Sequence, residues 1–418
     1  MKKILNSILI SFIFLCLAAC KKESSSPKLA TLITTDVYSF GTYVAYTGGE
    51  VLSDGGEVVS SKGVVWSTSP NPTIVLNTKT NDGSGVGSFG SELTGLNPNV
   101  TYYVRAYATN KGGTAYGNEV SFKTLGIGTT VAGGNDMGSA ANQLKNPVGL
   151  FVDAAGAIFV ADGGNNRIQK WAPGATTGTT VAGSLTGIPN VLIDPLSPRA
   201  VYVHNNGDIY VLDYARVLKY TANTSTPVTV AGKNTGQGSS ASELREPRGM
   251  YIDANGTIYI ADTGNNRIQK WTPGASVGIT VAGTGNSGTS ASEFRMPNDV
   301  YVAADGAIYI ADTGNNRIQK WLAGATSGTT LIQDNDNNFY GPMGVYGDSS
   351  GNLYITLNGP PSVVRKWTAS TNKLSVVAGY QSGNTADKFN NPKGIFSDSN
   401  GNWYIVDAGN NRVQKWRF

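Results

Sequence analysis

An all-β chain is predicted by three observations. No long stretch carries the amphipathic period of a helix. Short apolar runs bounded by Gly, Asn, Asp and Pro recur along the chain instead, which is the pattern of strands and turns. The phrase "ADTGNNRIQKW" at 261–271 returns unchanged at 311–321, with near copies "ADGGNNRIQKW" at 161–171 and "VDAGNNRVQKW" at 406–416. At 418 residues the chain has room for two or three domains. Its 32 Lys and Arg nearly balance 28 Asp and Glu, and no basic stripe stands out. That argues against a nucleic-acid partner.

The first element, "MKKILNSILISFIFLCLAAC" at 1–20, reads as a targeting segment. Lys2 and Lys3 form a positive n-region, and the apolar run Ile4 to Leu17 is short for a typical membrane span. "LAAC" at 17–20 resembles the bacterial lipobox. The resemblance implies a lipoprotein signal peptide at 1–19, cleavage before Cys20, and lipidation of Cys20. The alternative is an ordinary secretory signal with a coincidental Cys. Cys16 lies in the discarded segment, so a mature chain keeps only Cys20 and can form no internal disulfide. Acyl chains on Cys20 would give a membrane anchor, at about 0.8 kcal/mol per buried methylene. Residues 20–28 then serve as a polar tether. Lys21 stands where an Asp would favour inner-membrane retention, so the expected location is the cell envelope, on the outer membrane, periplasmic or surface-exposed.

Residues 29–124 read as one small β-sandwich. In "GLNPNVTYYVRAYATNKGGTAYGNEVSF" (95–122), strand alternation puts Tyr102, Val104, Ala106 and Ala108 on a core face, with Tyr103, Arg105 and Tyr107 opposite. This stretch resembles the last strands of a fibronectin type III domain. Leu96 and Pro98 precede Tyr102 with that family's tyrosine-corner spacing, which implies a bond from the Tyr102 hydroxyl to nearby backbone. Trp66 is expected as the large core residue of the opposing sheet. The expected role is spacer or adhesion.

From residue 125 onward the chain repeats. Pro147, Pro198, Pro247, Pro297, Pro342 and Pro392 each open a unit. In the unit at Pro247, "GMYID" is a strand and "ANG" a turn whose Asn and Gly supply positive φ. "TIYIAD", "RIQKW" and "ITVAG" are the next three strands. Four short strands in each of six units predict a six-bladed β-propeller over 125–418. Apolar residues on both strand parities fit sheets sandwiched between neighbouring sheets. "PxG…D…G…YIAD…GNNRI" resembles the NHL repeat. "TTVAG" at 129–133 precedes the first unit and the last unit ends without a fourth strand, so the early segment is expected to close the ring.

The repeated phrase reads as joinery. Asp262 ends one strand and Arg267 begins the next, so the two face each other across a hairpin. The same pairing is expected for Asp162 with Arg167, Asp312 with Arg317 and Asp407 with Arg412, and over a shorter turn for Asp213 with Arg216. In the fifth unit Leu357 and Val363 replace both partners together, which fits a structural pair and not a catalytic Asp. The aromatics of the second strands (Phe159, Tyr210, Tyr259, Tyr309, Tyr354, Tyr404) and the Lys-aromatic ends of the third strands read as packing.

Positions that differ between units are the candidates for function. The residue after each opening Pro begins the innermost strand near a central channel: Val148, Arg199, Arg248, Asn298, Met343 and Lys393. Arg199, Arg248, Asn298 and Lys393 could hold an anionic or carboxylate-bearing ligand. Alternatively, Glu246 and Asp299 neutralise these charges locally. No catalytic set is evident, because His204 is the single His and neither a His-rich metal site nor a triad with a second His can be built. "DNDNN" at 334–338 begins like a calcium loop but has Phe339 and Val345 where that loop needs Gly and a carboxylate, so only a weak site at Asp334 and Asp336 is open. No cofactor is expected beyond that single possible calcium. The sequence thus predicts a monomeric, non-catalytic envelope protein whose propeller binds a protein, peptide or glycan. A calcium-dependent propeller hydrolase or lyase is the alternative.

Overall fold

A computed structural model describes residues 26–183, 197–221, 226–234, 236–333 and 339–418. The leader 1–19, Cys20, Asp334 and Asp336 lie outside those residues. The chain divides into two compact units. One takes residues up to Asp36 with Thr47–Ser91 and Tyr103–Val120; the other takes Val37–Tyr46, Glu92–Tyr102 and Ser121–Phe418.

Strands in the first 124 residues form two sheets. One is ordered Thr31–Phe40, Ala45–Ser53, Gly87–Leu93; the other is ordered Ser61–Ser67, Thr101–Asn110, Gly113–Tyr116, with Val120–Lys123 also pairing to Thr101–Asn110. Tyr102, Val104, Ala106 and Ala108 are buried, as the two-residue period of a strand requires. The Tyr102 hydroxyl accepts the Asn97 N–H at 3.0 Å. Trp66 departs from expectation. It is buried, but it lies in the same sheet as Val104 and directly opposite it, because Ser61–Ser67 pairs with Thr101–Asn110 instead of facing it.

The larger unit carries six four-stranded sheets among its described residues. Sheets one to five lie within 150–183, 200–232, 250–282, 299–333 and 342–378. Sheet six joins Pro392–Ser397, Trp403–Asp407 and Arg412–Trp416 to Thr129–Gly133. The early strand pairs antiparallel with the last one, Arg412 opposite Gly133 and Lys415 opposite Thr129. In every sheet the third and fourth strands shift register at one equivalent point, such as Ile268/Gln269 and Val413/Gln414. A bulge there increases the local twist of each outer edge.

The first strand of each sheet touches the first strand of the next, and sheet six returns to sheet one. Six apolar cores lie between consecutive sheets, the last between six and one. The two parities of one strand feed different cores. Ile258 and Ile260 pack toward sheet two, while Tyr259 and Ala261 pack toward sheet four. A strand with no solvated face must be apolar throughout, which is why "IYI" recurs. The turn "ANG" corrects expectation in one detail. Gly256 takes a positive φ of 78° but Asn255 does not. Instead Asp253 Oδ1 accepts the N–H groups of Asn255 and Thr257 at 2.9 Å each.

Candidate functional site: a cation-lined channel

The repeated phrase makes a staple. In sheet three, Asp262 Oδ1 accepts the Arg245 N–H at 2.7 Å, and its Oδ2 takes Asn265 Nδ2 at 2.9 Å and Arg267 Nε at 2.8 Å. Arg267 Nη2 donates to the carbonyls of Ser240 and Glu243, and Asn265 Nδ2 to that of Gly238. The loop before the sheet is thereby tied to the hairpin within it. The ion pair recurs as Asp162–Arg167, Asp312–Arg317 and Asp407–Arg412 at 2.7–2.8 Å, and as Asp213–Arg216 at 3.4 Å. Asn266, in the left-handed region with φ 49°, turns its Oδ1 to the Met296 N–H of the following sheet; Asn316 and Asn411 do the same for Gly341 and Asn146. In sheet five Leu357 lies opposite Val363 and both join the core, an apolar substitute that a buried ion pair readily accepts. The third-strand Lys residues lie over second-strand rings, from 5.1 Å for Lys170 on Phe159 to 5.7 Å for Lys415 on Tyr404. The Asp, both Asn, the Arg and the Lys of the phrase thus all have structural work.

The residues after the opening prolines converge. Val148, Arg199, Arg248, Asn298, Met343 and Lys393 all line one cavity of about 380 Å³ enclosed by the first strands. The next residue in each unit is Gly149, Ala200, Gly249, Asp299, Gly344 or Gly394. Four glycines here answer to space. A Cβ on Gly149 would stand 2.7 Å from the Arg199 carbonyl oxygen, and one on Gly344 would stand 2.6 Å from that of Lys393. Adjacent first strands approach this closely only without side chains between them.

Among the described residues no salt bridge involves the cations of this collar, Arg199, Arg248 and Lys393. Arg248 reaches Asn298 Oδ1 through Nη1 at 3.4 Å, while its buried Nε has no hydrogen-bond partner. Burial lowers the Arg248 pKa, the Arg199 charge lowers it further, and Glu246 opposes both. Lys393 is likewise lowered, by burial and then by Arg199 and Arg248. Asn298 also gives its Nδ2 to the Met343 carbonyl at 2.6 Å. Asp299 lines the same cavity and, among the described residues, forms no ion pair with the collar. Its Oδ2 accepts the Val345 N–H at 3.0 Å, and burial pushes its carboxyl up to about 7.

Below the collar lies a feature that sequence reasoning missed. Phe151, Tyr202, Tyr251, Tyr301, Tyr346 and Phe396 form an aromatic belt, one residue from each sheet. Five of the six neighbouring pairs are in ring contact with centroids 4.8–5.4 Å apart. Its signal was present, since an aromatic stands four residues after each opening Pro. Burial raises the hydroxyl of Tyr251 to about 12, and those of Tyr202, Tyr301 and Tyr346 also move up. These groups stay protonated. Among the described residues no group of three His, Cys, Asp or Glu gathers as metal ligands, and no helix is long and apolar enough to cross a membrane. His204 bonds Asn206 in an exposed turn.

Similarity to known proteins follows the repeats. No curated protein sequence matches the chain. A structure of a Bacteroides thetaiotaomicron protein of unknown function is similar at TM-score 0.54 and 14% identity, over 94% of this chain and 99% of that one. A Xanthomonas campestris gluconolactonase gives 0.49 at 13% identity, over 69% of this chain and 94% of that one. Virginiamycin B lyase from Staphylococcus aureus gives 0.45 at 14% identity, over 67% and 86%. Likenesses this remote say nothing about reaction or ligand. The NHL-repeat family model matches residues 244–271 and 294–321, the stretches that run from the entering loop to the third strand of sheets three and four. By sequence and by strand layout, these two units are NHL repeats of a β-propeller.

Proposed function

We propose that this is a lipid-anchored bacterial envelope protein whose six-bladed propeller, closed by the strand at 129–133, binds an anionic ligand in its channel. Cys20 carries the anchor, 20–28 is the tether, and 29–124 is a fibronectin type III-like spacer. The ligand presents a carboxylate or similar group from a protein, peptide or glycan. One observation carries the binding reading: three cations from separate units line a single cavity, and none of them forms an ion pair among the described residues. Buried charge without a partner is costly, and a bound anion relieves both the desolvation and the mutual repulsion. Arg can also grip a carboxylate through two parallel bonds. The collar varies from unit to unit, with Arg alone appearing twice among the six, as expected of residues kept for recognition and not for architecture. The test is equilibrium dialysis of the parent and of the Arg199→Ala/Arg248→Ala variant against an acidic peptide and an oligogalacturonate. At least one probe should bind the parent and bind the variant about tenfold more weakly or worse; equal binding to both proteins would contradict the reading.

A further inference from the structure

The aromatic belt is interrupted at one place. Phe151 touches Tyr202 and Phe396, Tyr346 touches Phe396 and Tyr301, and Tyr301 touches Tyr251. Tyr202 and Tyr251 are neighbours in the ring and make no such contact, yet both line the cavity. They belong to sheets two and three, the same two sheets that carry Arg199 and Arg248. The opening in the belt therefore lies along the strands that hold the two arginines. Ala200 and Met250, small and pliable, occupy the wall between the tiers. Neither tyrosine hydroxyl makes a hydrogen bond to another described residue, though the Asp253 charge bears on both.

We infer that the channel takes an amphiphilic aromatic acid, its carboxylate held by Arg199 and Arg248 and its flat ring seated in the opening between Tyr202 and Tyr251. This inference rests on the anion-binding channel proposed above and specifies the body of the ligand. The size of the cavity fits a small organic acid, since sites of about 300–1,000 Å³ bury such ligands. Spacing selects its shape. Two residues stand between each Arg and its Tyr, a span of about 10 Å along an extended chain, so acid and ring must be joined by a short alkyl chain. A ring between the two tyrosines completes the series of tilted and edge-on contacts that the belt makes elsewhere, at the centroid distances aromatic pairs prefer. Lys393, from the sheet across the ring, adds a third positive charge without bearing on ring selection.

Titration calorimetry of the full chain with 4-phenylbutyrate, butyrate and 4-phenylbutyramide separates the parts. The expected result is that 4-phenylbutyrate binds at least about tenfold tighter than either of the others, needing ring and charge together. Tyr251→Ala should erase the advantage over butyrate while leaving butyrate itself unchanged. These ligand comparisons on the parent protein stand even if that variant folds poorly, and Tyr251→Leu serves as its milder replacement. Butyrate binding as tightly as 4-phenylbutyrate, or an advantage that survives loss of the Tyr251 ring, overturns the aromatic assignment and leaves the anion reading standing. Equal binding of acid and amide, or binding by none of the three, overturns both.

Discussion

Asp299 occupies the place where the other five units carry Gly or Ala. Only the Pro297 unit spends this tight position on a carboxyl, and its Oδ2 is tied to the Val345 N–H of the next sheet. With the carboxyl raised from 3.8 to about 7, the folded protein holds a proton that the unfolded chain has already released. The stability contributed by that proton is complete below about pH 4 and is lost as pH rises through about 7. Asp299→Asn removes the titration. Urea denaturation at about pH 5 and pH 8 should show the parent losing stability relative to the variant across that interval; parallel behaviour of the two would place the carboxyl near its ordinary value. Asp262 and its equivalents differ in kind. Asp262, Asp312 and Asp407 are fully buried, and burial raises their carboxyls as well, but Arg, Asn and backbone donors at both oxygens oppose that shift.

At the scale of elements, Thr129–Gly133 has an importance out of proportion to its length. It supplies the outer strand of sheet six, and Ala132 enters the core between sheets six and one. Removing it would expose the edge of Arg412–Trp416 and open that core. Deletion of 125–133 is therefore expected to give protein that aggregates or melts well below the parent; unchanged melting with a monomeric elution profile would contradict the closure. This strand was legible in the sequence because a four-strand unit that lacks its fourth strand advertises the gap. The sheet assignment of Trp66 was not, since which strands pair in a sandwich depends on contacts far apart in the chain. The aromatic belt was written plainly, four residues after each Pro. It escaped notice because an aromatic in an apolar strand reads as core, and only the closed arrangement of first strands brings Phe151, Tyr202, Tyr251, Tyr346 and Phe396 to a common cavity.

For the molecule as a whole, repetition and variation divide the labour. Asp, Asn, Arg, Trp and Gly recur unit after unit and build the joints between sheets. The residues after the prolines vary, and the architecture delivers all six to one channel. Their convergence was legible from the sequence, because equivalent positions in equivalent sheets must meet at the axis; that none of them forms an ion pair among the described residues was not, since Asp299 and Glu246 stood near enough in sequence to do so. Thermal melting of the parent, Asp262→Ala and Arg248→Ala, each with and without 4-phenylbutyrate, tests this division most directly. Breaking a buried pair costs about 3–5 kcal/mol, which lowers melting by roughly 5–8 °C at this size. Asp262→Ala should melt lower by such an amount and still be raised by the ligand, while Arg248→Ala should melt close to the parent and be raised little or not at all. The opposite pattern, with ligand response lost on removing Asp262 and kept on removing Arg248, would contradict the assignment of architecture to the repeats and recognition to the channel.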